Sequence, residues 1–253
     1  MTPYLPWAPE PGDGLRLFCF HHAGGAASAY AGWRDALGPG VSVLPVQLPG
    51  REARVREPRF TDIEPLVRDL DTHLDRYLRP PYAVYGHSMG ALVAYALTRA
   101  RVARGRPAPR CLAVGGYPAP HLPTALAGAV DLPDADLAGL LAELGGMSPA
   151  LRDHPAWLTA AVALARDDLR ACLSYRYPGG DPLPVPIHVF TGAADPIVRV
   201  ADAAAWDGHT TAACRQHTVP GGHLFHRQAP PFLLNRLAEL LTPSATSVAL
   251  GRA

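Results

Sequence analysis

The sequence predicts one α/β domain built on a mostly parallel central sheet flanked by helices. Short apolar runs of strand length alternate with amphipathic segments of helix length, which is the pattern of a parallel α/β sheet. This alternation stops between Tyr117 and Pro184, where helical stretches follow one another without a convincing strand. We therefore expect a single domain over residues 1–253 with an inserted helical lid at about 117–184.

The predicted strands are the short apolar runs, which are bounded by turn residues. They are Leu15–Phe20, Val41–Gln47, Tyr82–Tyr85, Cys111–Gly115, Ile187–Thr191 and Gln216–Val219. The helices follow from helical periodicity. They are Ser28–Leu37, Ile63–Tyr77, Gly90–Arg104, Ala135–Leu144, Pro155–Tyr175, Val200–Trp206 and Pro231–Leu241. Thr61 and Glu64 stand at capping-box spacing before the second helix, and residues 242–253 are predicted to form a flexible tail.

Composition excludes several classes of protein. The chain has 253 residues, of which 48% are hydrophobic and 18% charged, so it can bury one full core. A formal net charge of +1 argues against binding to nucleic acid. All 23 basic residues are arginine, which excludes a Schiff-base lysine and a Walker-type phosphate lysine. No apolar run is long enough to cross a membrane and Met1–Gly14 does not resemble a signal peptide, so we expect a cytoplasmic protein without membrane contact.

The cysteines and histidines do not have the spacing of a metal site. Cys19, Cys111, Cys172 and Cys214 are far apart and form no C-x-x-C pair, so we expect free thiols. The histidine pairs His21-His22 and His223/His226 have no carboxylate or cysteine at ligand spacing. We therefore expect neither a metal nor a disulfide.

A candidate nucleophile lies in the run Gly86-His87-Ser88-Met89-Gly90, between an apolar strand and an apolar helix. In a G-x-S-x-G strand-turn-helix, the serine occupies a tight turn, and the glycines let strand and helix approach each other closely. We therefore predict that Ser88 is a nucleophile. The alternative is a glycine-rich connection that contains an incidental serine.

The general base is expected to be His223. A serine hydroxyl needs a histidine to accept its proton, and His223 follows Pro220-Gly221-Gly222 directly after the last strand. It also follows Ser88 in the sequence, which is the order of serine and histidine in folds that carry a G-x-S-x-G turn between a strand and a helix. His226 is the competing candidate, whereas His87 lies inside the turn and cannot easily face Ser88.

A serine nucleophile and its histidine base usually act with an acid that orients the histidine, and the three form a triad. We expect this acid on a loop that follows a strand between Ser88 and His223. The strand after the nucleophile helix ends in Gly115-Gly116-Tyr117 without an acid, whereas the next strand leads to Asp195. Asp195 is therefore predicted to orient the histidine. The alternative reading is an ordinary turn aspartate before Pro196, in which case Asp202 and Asp207 are the fallbacks.

An oxyanion hole in such a site needs two backbone N–H donors. The first comes from the residue after the serine, which is Met89. The second comes from the loop after an early strand, and Ala23 in His21-His22-Ala23-Gly24-Gly25 is the predicted donor.

Taken together, these elements resemble the α/β-hydrolase fold and, more narrowly, the stand-alone type II thioesterases of polyketide and non-ribosomal peptide synthases. The resemblance covers nearly the whole chain, and Gln47-Leu48-Pro49-Gly50-Arg51 and Gly86-His87-Ser88-Met89-Gly90 are its specific motifs. The other matching stretches are Leu17-Phe18-Cys19-Phe20, Ala23-Gly24-Gly25, Pro120-His121-Leu122-Pro123, Leu144-Gly145-Gly146, Tyr175-Arg176-Tyr177 and Pro220-Gly221-Gly222-His223. His21 departs from the pattern, since the family usually has proline there.

The resemblance implies removal of stalled or wrong acyl groups from the phosphopantetheine arm of an acyl or peptidyl carrier protein. Ser88, Asp195 and His223 match the family's triad, and Ala23 and Met89 match its oxyanion hole. The chain itself then needs no cofactor, and we expect it to be a monomer. Arg51, Arg54, Arg56 and Arg59 follow the second strand, where a positive patch would face an acidic carrier protein. A second arginine cluster, Arg99, Arg101, Arg104, Arg106 and Arg110, is expected at the opposite edge.

Other functions remain open on the sequence alone. A small-molecule carboxylesterase or peptidase of the same fold would keep the triad without depending on a carrier. An inactive binding module is a weaker alternative, because all three triad positions hold competent residue types. Dehalogenase or epoxide-hydrolase chemistry would require an aspartate in place of Ser88.

Overall fold

The central sheet has six strands, all parallel, in the part of the chain that the structure describes. The structure is a computed structural model that describes residues 2–7, 9, 14–147, 149–228 and 230–242. The strands are β1 (Leu15–Phe20), β2 (Val41–Pro45), β3 (Tyr82–His87), β4 (Leu112–Gly115), β5 (Ile187–Gly192) and β6 (Cys214–Val219). Their order is β2-β1-β3-β4-β5-β6. The predicted parallel α/β class is thus confirmed.

Eight α-helices flank or cover this sheet within the described ranges. They are α1 (Trp33–Leu37), α2 (Ile63–Leu74), α3 (Met89–Ala103), α4 (Asp134–Glu143), α5 (Pro155–Ser174), α6 (Val200–Ala204), α7 (Phe225–Gln228) and α8 (Pro230–Leu241). None of the helices in these ranges combines the length and the apolar character needed to cross a membrane. The predicted flexible tail, 242–253, lies outside the described residues beyond Thr242.

Two local predictions were wrong in detail, and one helical turn was not predicted. The first predicted helix is split into a short 3₁₀ turn, Ala27–Tyr30, and α1, because Gly32 between them has a left-handed φ of +80°. The capping box does not form before α2: Asp62 is the N-cap residue, and the Ile63 N–H donates to the hydroxyl of Ser174 on α5 at 2.9 Å. The separate turn α7 before the last helix was not predicted.

The core consists of two apolar layers, one on each face of the sheet. Alternate residues of β1 divide between them: Phe18 and Phe20 pack towards the side of α2 and α3, while Leu17 and Cys19 pack towards the side of α1 and α8. Such alternation is what a strand covered on both faces requires. The nucleophile helix α3 is buried along nearly its whole length. The rigid two-sided core therefore holds the strand ends from which the candidate site is built.

The segment between β4 and β5 lies over the carboxyl edge of the sheet and adds no strand to it in the described residues 116–147 and 149–186. It carries α4, α5 and two short 3₁₀ turns, Ala127–Asp131 and Pro149–Asp153. A separate small apolar cluster joins these elements to one another; it consists of Ala129, Leu137, Met147, Val162 and Leu169. The segment thus has an apolar cluster distinct from the two layers that cover the sheet.

Candidate active site

Ser88 lies at a strained turn between β3 and α3. Its backbone has φ +53° and ψ −120°, a conformation that costs energy for any residue other than glycine. Both flanking glycines are required by close backbone contacts. A Cβ on Gly86 would lie 2.1 Å from the carbonyl oxygen of Gly90, and a Cβ on Gly90 would lie 2.0 Å from that of Phe20. The glycine spacing of the sequence motif therefore follows from backbone packing.

Three predicted side chains meet at this turn. Nε2 of His223 lies 3.0 Å from Oγ of Ser88, and Nδ1 of His223 lies 3.0 Å from Oδ2 of Asp195. His223 follows β6 and Asp195 follows β5, so the three residues come from three strand ends at the same edge. The arrangement is that of a nucleophile, a base and an orienting acid.

The carboxylate of Asp195 is buried and fixed by its own turn. Its Oδ1 accepts hydrogen bonds from the backbone N–H of Ile197 at 2.8 Å and of Val198 at 3.3 Å. The fallback Asp202 instead pairs with Arg199 at 2.8 Å, and the fallback Asp207 lies exposed. Neither fallback has a hydrogen bond to His223 within the described residues.

His226, the competing base, makes no hydrogen bond to Ser88 in the described part of the chain. Its ring lies against that of His87, with centroids 3.8 Å apart and planes tilted by 32°, and it is almost completely buried. Neither ring nitrogen has a hydrogen-bond partner among the described residues. Burial lowers the pKa of His226 well below its ordinary value, and the neighbouring His87 adds to this effect. His226 is therefore a neutral core residue.

The two predicted oxyanion donors flank Ser88. Ala23 and Met89 line the same small cavity as the serine. Met89 is the first residue of α3, where a helical N–H has no acceptor within its own helix. Neither of the two amides donates to an acceptor in the described parts of the chain. Both N–H groups are thus available to a substrate oxygen.

The cavity beside Ser88 is small and has a mainly apolar lining. Its volume is about 10 Å³, which is room for about one water molecule. Besides Ala23, Ser88 and Met89, the lining residues all belong to the segment between β4 and β5: Tyr117, Thr124, Leu126, Leu169, Cys172 and Leu173. The segment between β4 and β5 thus forms a large part of the wall beside Ser88.

The thiols and imidazoles do not form a metal centre in the described ranges, where no group of three potential ligands is suitably placed. Cys19, Cys111 and Cys172 are buried free thiols, while Cys214 is partly exposed. Desolvation raises the pKa of the Cys111 thiol to about 11, which makes it unreactive at neutral pH.

The arginines after β2 do not form the open positive patch that their spacing suggests. Arg51 pairs with Asp168 at 2.7 Å and Arg54 with Glu57 at 2.6 Å, while Arg59 pairs with Asp167 at 2.8 Å. Of the four, Arg56 alone is exposed without an ion pair in the described residues. The expectation of a four-arginine docking patch is therefore corrected to a single free cation.

The second arginine cluster also has internal partners. Arg101 is buried and bound to Asp71 and Asp75, and Arg104 shares Asp71. These contacts join α2 to α3, so this cluster stabilises the helical layer.

Comparison with known proteins identifies the family of the chain. The family described as Thioesterase domain matches residues 15–241. Linear gramicidin dehydrogenase LgrE of Brevibacillus parabrevis is 37% identical over 212 residues, covering 83% of this chain and 81% of that protein. The name of that relative refers to a dehydrogenase reaction, whereas the similar solved structures described next are named as thioesterases.

One such structure is the thioesterase RedJ of the prodiginine pathway in Streptomyces coelicolor, with a TM-score of 0.85 and 37% identity over 94% of this chain and 92% of that chain. Another is the type II thioesterase BorB of the borrelidin biosynthetic cluster, with a TM-score of 0.83 and 34% identity over 93% and 96% of the two chains. The structural neighbours also bear out the α/β-hydrolase fold. The chain belongs to the thioesterase family.

Proposed function

We propose that this chain hydrolyses acyl thioesters through a triad of Ser88, His223 and Asp195. The observation that carries the proposal is the continuous path of hydrogen-bond contacts from Oγ of Ser88 through both ring nitrogens of His223 to Asp195. The two free amides of Ala23 and Met89 beside the serine support it, because an acyl-transfer site needs donors where negative charge develops.

In the first half-reaction, Oγ of Ser88 attacks the thioester carbonyl while Nε2 of His223 accepts the hydroxyl proton. The carbonyl oxygen becomes an oxyanion that the N–H groups of Ala23 and Met89 stabilise. When the tetrahedral intermediate collapses, the carbon–sulfur bond breaks and His223 donates the proton that it took from Ser88 to the leaving thiolate, which departs as a thiol. Asp195 stabilises the imidazolium that exists between these two proton transfers.

In the second half-reaction, water hydrolyses the acyl group on Ser88. His223 takes a proton from the water as the hydroxide adds to the ester carbonyl, and the same two amides bind the second oxyanion. Collapse releases a carboxylic acid, and His223 returns the proton to Oγ of Ser88. The net reaction consumes one water and yields one acid and one thiol.

The proposed substrate is an acyl group on the phosphopantetheine arm of an acyl or peptidyl carrier protein, in polyketide or non-ribosomal peptide biosynthesis. Membership of the thioesterase family supports thioester chemistry. Solved relatives from the prodiginine and borrelidin systems support a carrier-bound substrate. The chain would need no cofactor, since the partner carries the phosphopantetheine. Both amides and all three triad residues belong to one chain, so a monomer suffices.

We also propose that residues 117–184 act as a lid. Six of its residues border the cavity of about 10 Å³ at Ser88: Tyr117, Thr124, Leu126, Leu169, Cys172 and Leu173. The breaks at Leu132-Pro133-Asp134 and Leu144-Gly145-Gly146 are the proposed hinges, and Gly145 has a left-handed φ of +80°. Movement at these points would admit an acyl chain.

The test is to follow thiol release from one short acyl group, presented on a carrier protein and on free pantetheine. Wild-type protein is expected to hydrolyse both, with a higher kcat/KM for the carrier-bound group, and Ser88→Ala is expected to hydrolyse neither. Equal kcat/KM on both substrates would favour a small-molecule esterase. Absence of thioester hydrolysis by the wild type would refute the proposal.

A further inference from the structure

A buried ion pair lies next to the loop that carries Ala23. Arg51 follows β2, and Asp168 lies on α5, 117 positions away in sequence. The two side chains meet in a bidentate contact, with Nη1 to Oδ2 at 2.7 Å and Nη2 to Oδ1 at 2.8 Å. Their side chains are only 4% and 3% exposed.

The same two side chains bind the backbone of the oxyanion loop, which we define as residues 21–26 after β1. The N–H of Gly24 donates to Oδ2 of Asp168 at 2.8 Å. Nη1 of Arg51 donates to the carbonyl oxygen of Gly25 at 3.2 Å. Gly24 directly follows Ala23, so both contacts restrain the backbone beside the proposed oxyanion donor.

The helix that supplies Asp168 is also a wall of the cavity at Ser88. Leu169, Cys172 and Leu173 lie on the same helix and border that cavity. The oxyanion loop lies directly against this helix, since a Cβ on Gly24 would be 3.2 Å from the Cβ of Ala165. One helix therefore both covers the nucleophile and contacts the oxyanion loop.

The net stability gained from such a pair is small, because the cost of desolvating two buried charges offsets most of their attraction. Its main effect is on orientation, since a bidentate guanidinium–carboxylate contact has a fixed geometry. Asp168 also makes a charge-assisted hydrogen bond to the loop, which fixes the direction of the peptide plane there.

We propose that Arg51 and Asp168 are positioning residues that aim the Ala23 N–H at the reacting carbonyl oxygen. The oxyanion hole is then complete only while α5 is packed on the oxyanion loop. This inference rests on the proposed thioesterase function. It says that the Ala23 N–H can stabilise the oxyanion fully only when Asp168, on the lid helix α5, holds the oxyanion loop in place.

The test compares Asp168→Asn with Asp167→Asn. Asp167 precedes Asp168 on α5 and binds Arg59 at 2.8 Å, so it joins the same two segments without a hydrogen bond to the oxyanion loop. Both variants are assayed with acyl-pantetheine for kcat and KM, and with an acyl-pantetheine trifluoromethyl ketone for Ki. That ketone adds to Ser88 and places an oxyanion in the hole.

Asp168→Asn is expected to lower kcat and to raise Ki for the ketone, each by at least about tenfold, with KM changed by less than about threefold. These losses stay below the cost of 10²–10³-fold expected when a donor is removed outright. Asp167→Asn is expected to keep both values within about twofold. The pH profile of kcat is expected to keep its shape, because the His223 contacts are unchanged.

Equal effects of the two variants, or an unchanged Ki for Asp168→Asn, would overturn the proposal. Arg51→Gln is the second variant, in case Asp168→Asn does not fold, and circular dichroism gives the folded fraction. If neither variant folds, the pair serves stability and the proposal is wrong. Hydrolysis by the wild type tests the proposed function separately, because the inference depends only on differences between variants.

Discussion

Nε2 of His87 donates a hydrogen bond to the backbone carbonyl oxygen of His223 at 2.8 Å. The hydroxyl of Tyr85 lies 3.0 Å from the other ring nitrogen, Nδ1, and donates to it. This pair of contacts selects a single tautomer of His87. Burial, together with the neighbouring His223, lowers the pKa of His87 well below its ordinary value, so the ring is neutral. His87, which precedes the proposed nucleophile Ser88, thus supports the backbone of the proposed base His223.

Removal of this support should slow the reaction without changing its chemistry. His87→Ala is expected to lower kcat by about 10- to 100-fold, because a small displacement of a catalytic group is costly. His87→Gln should recover most of the rate, since its side-chain amide N–H lies close to the position of Nε2. Steady-state kinetics on acyl-pantetheine checks this, and equal losses in the two variants would contradict it.

The role of Asp195 can be separated from that of the nearby acids. Asp195→Asn is expected to lower kcat by about 10⁴-fold, because an amide at this position favours the wrong tautomer of the base. Asp202→Asn is the matched control, since Asp202 pairs with exposed Arg199 and does not touch His223. Comparable losses in the two variants would mean that the acid lies elsewhere.

The sequence predicted the candidate site residues that lie at the ends of strands. Ser88, Asp195 and His223 could be located because each follows an apolar run, and the edge at which parallel strands end is shared. Chain order and glycine context also favoured His223 over His226. Local pattern carries no information about long-range partners, however. Thus neither the pairing of Arg51 with Asp168 nor the cap that Ser174 supplies to α2 could be predicted.

The arginine clusters show the same limit. Arg51, Arg54 and Arg59 are close in sequence, which suggested a solvent-exposed patch, but each pairs with a carboxylate in the structure. Two of these carboxylates belong to α5, more than a hundred positions away. Charge spacing alone therefore overestimates the free positive charge of this surface.

Two buried histidines should make the fold sensitive to acid. Burial lowers the pKa of His21 to about 3, with Arg51 contributing, and burial together with His21 lowers that of His22 to about 3. The unfolded chain binds protons at these residues below a pH of about 6.5, whereas the folded chain does not. Their contribution to stability is therefore full above about pH 6.5 and is lost as pH falls towards 3.

The expected slope is about 1.4 kcal/mol of unfolding free energy per pH unit for each of these histidines between pH 6 and pH 4. His21→Gln should remove about that much of the slope in denaturant titrations repeated at several pH values. The control is His73→Gln, at a largely exposed position on α2. An unchanged pH slope in His21→Gln would contradict a neutral buried imidazole.

The lid proposal predicts a difference in dynamics between helices. Amides in residues 117–184 should exchange hydrogen faster than those of α2 and α3, and a bound acyl-pantetheine ketone should slow this exchange. The physical reason is that substrate entry requires the wall of a cavity of about 10 Å³ to move. Exchange as slow as in α2 and α3, with and without ligand, would indicate a rigid layer.

Arg56 is the remaining candidate for electrostatic steering of a carrier protein. Arg56→Glu should lower kcat/KM for an acidic acyl-carrier substrate by about three- to tenfold at low salt and leave acyl-pantetheine unaffected, because steering acts on association. The difference should shrink at high salt. Arg34→Glu is the matched control at another exposed position. An equal loss on both substrates would mean that Arg56 does not steer docking.

The most direct test of the central claim is detection of the acyl group on the nucleophile. Wild-type protein is mixed with an acyl-pantetheine thioester, quenched in acid within milliseconds, before a second turnover, and digested for peptide mass spectrometry. The account predicts one acyl adduct on the peptide that contains Ser88, together with one equivalent of released thiol, and neither product in Ser88→Ala. An adduct on another residue, or thiol release that persists without Ser88, would contradict it.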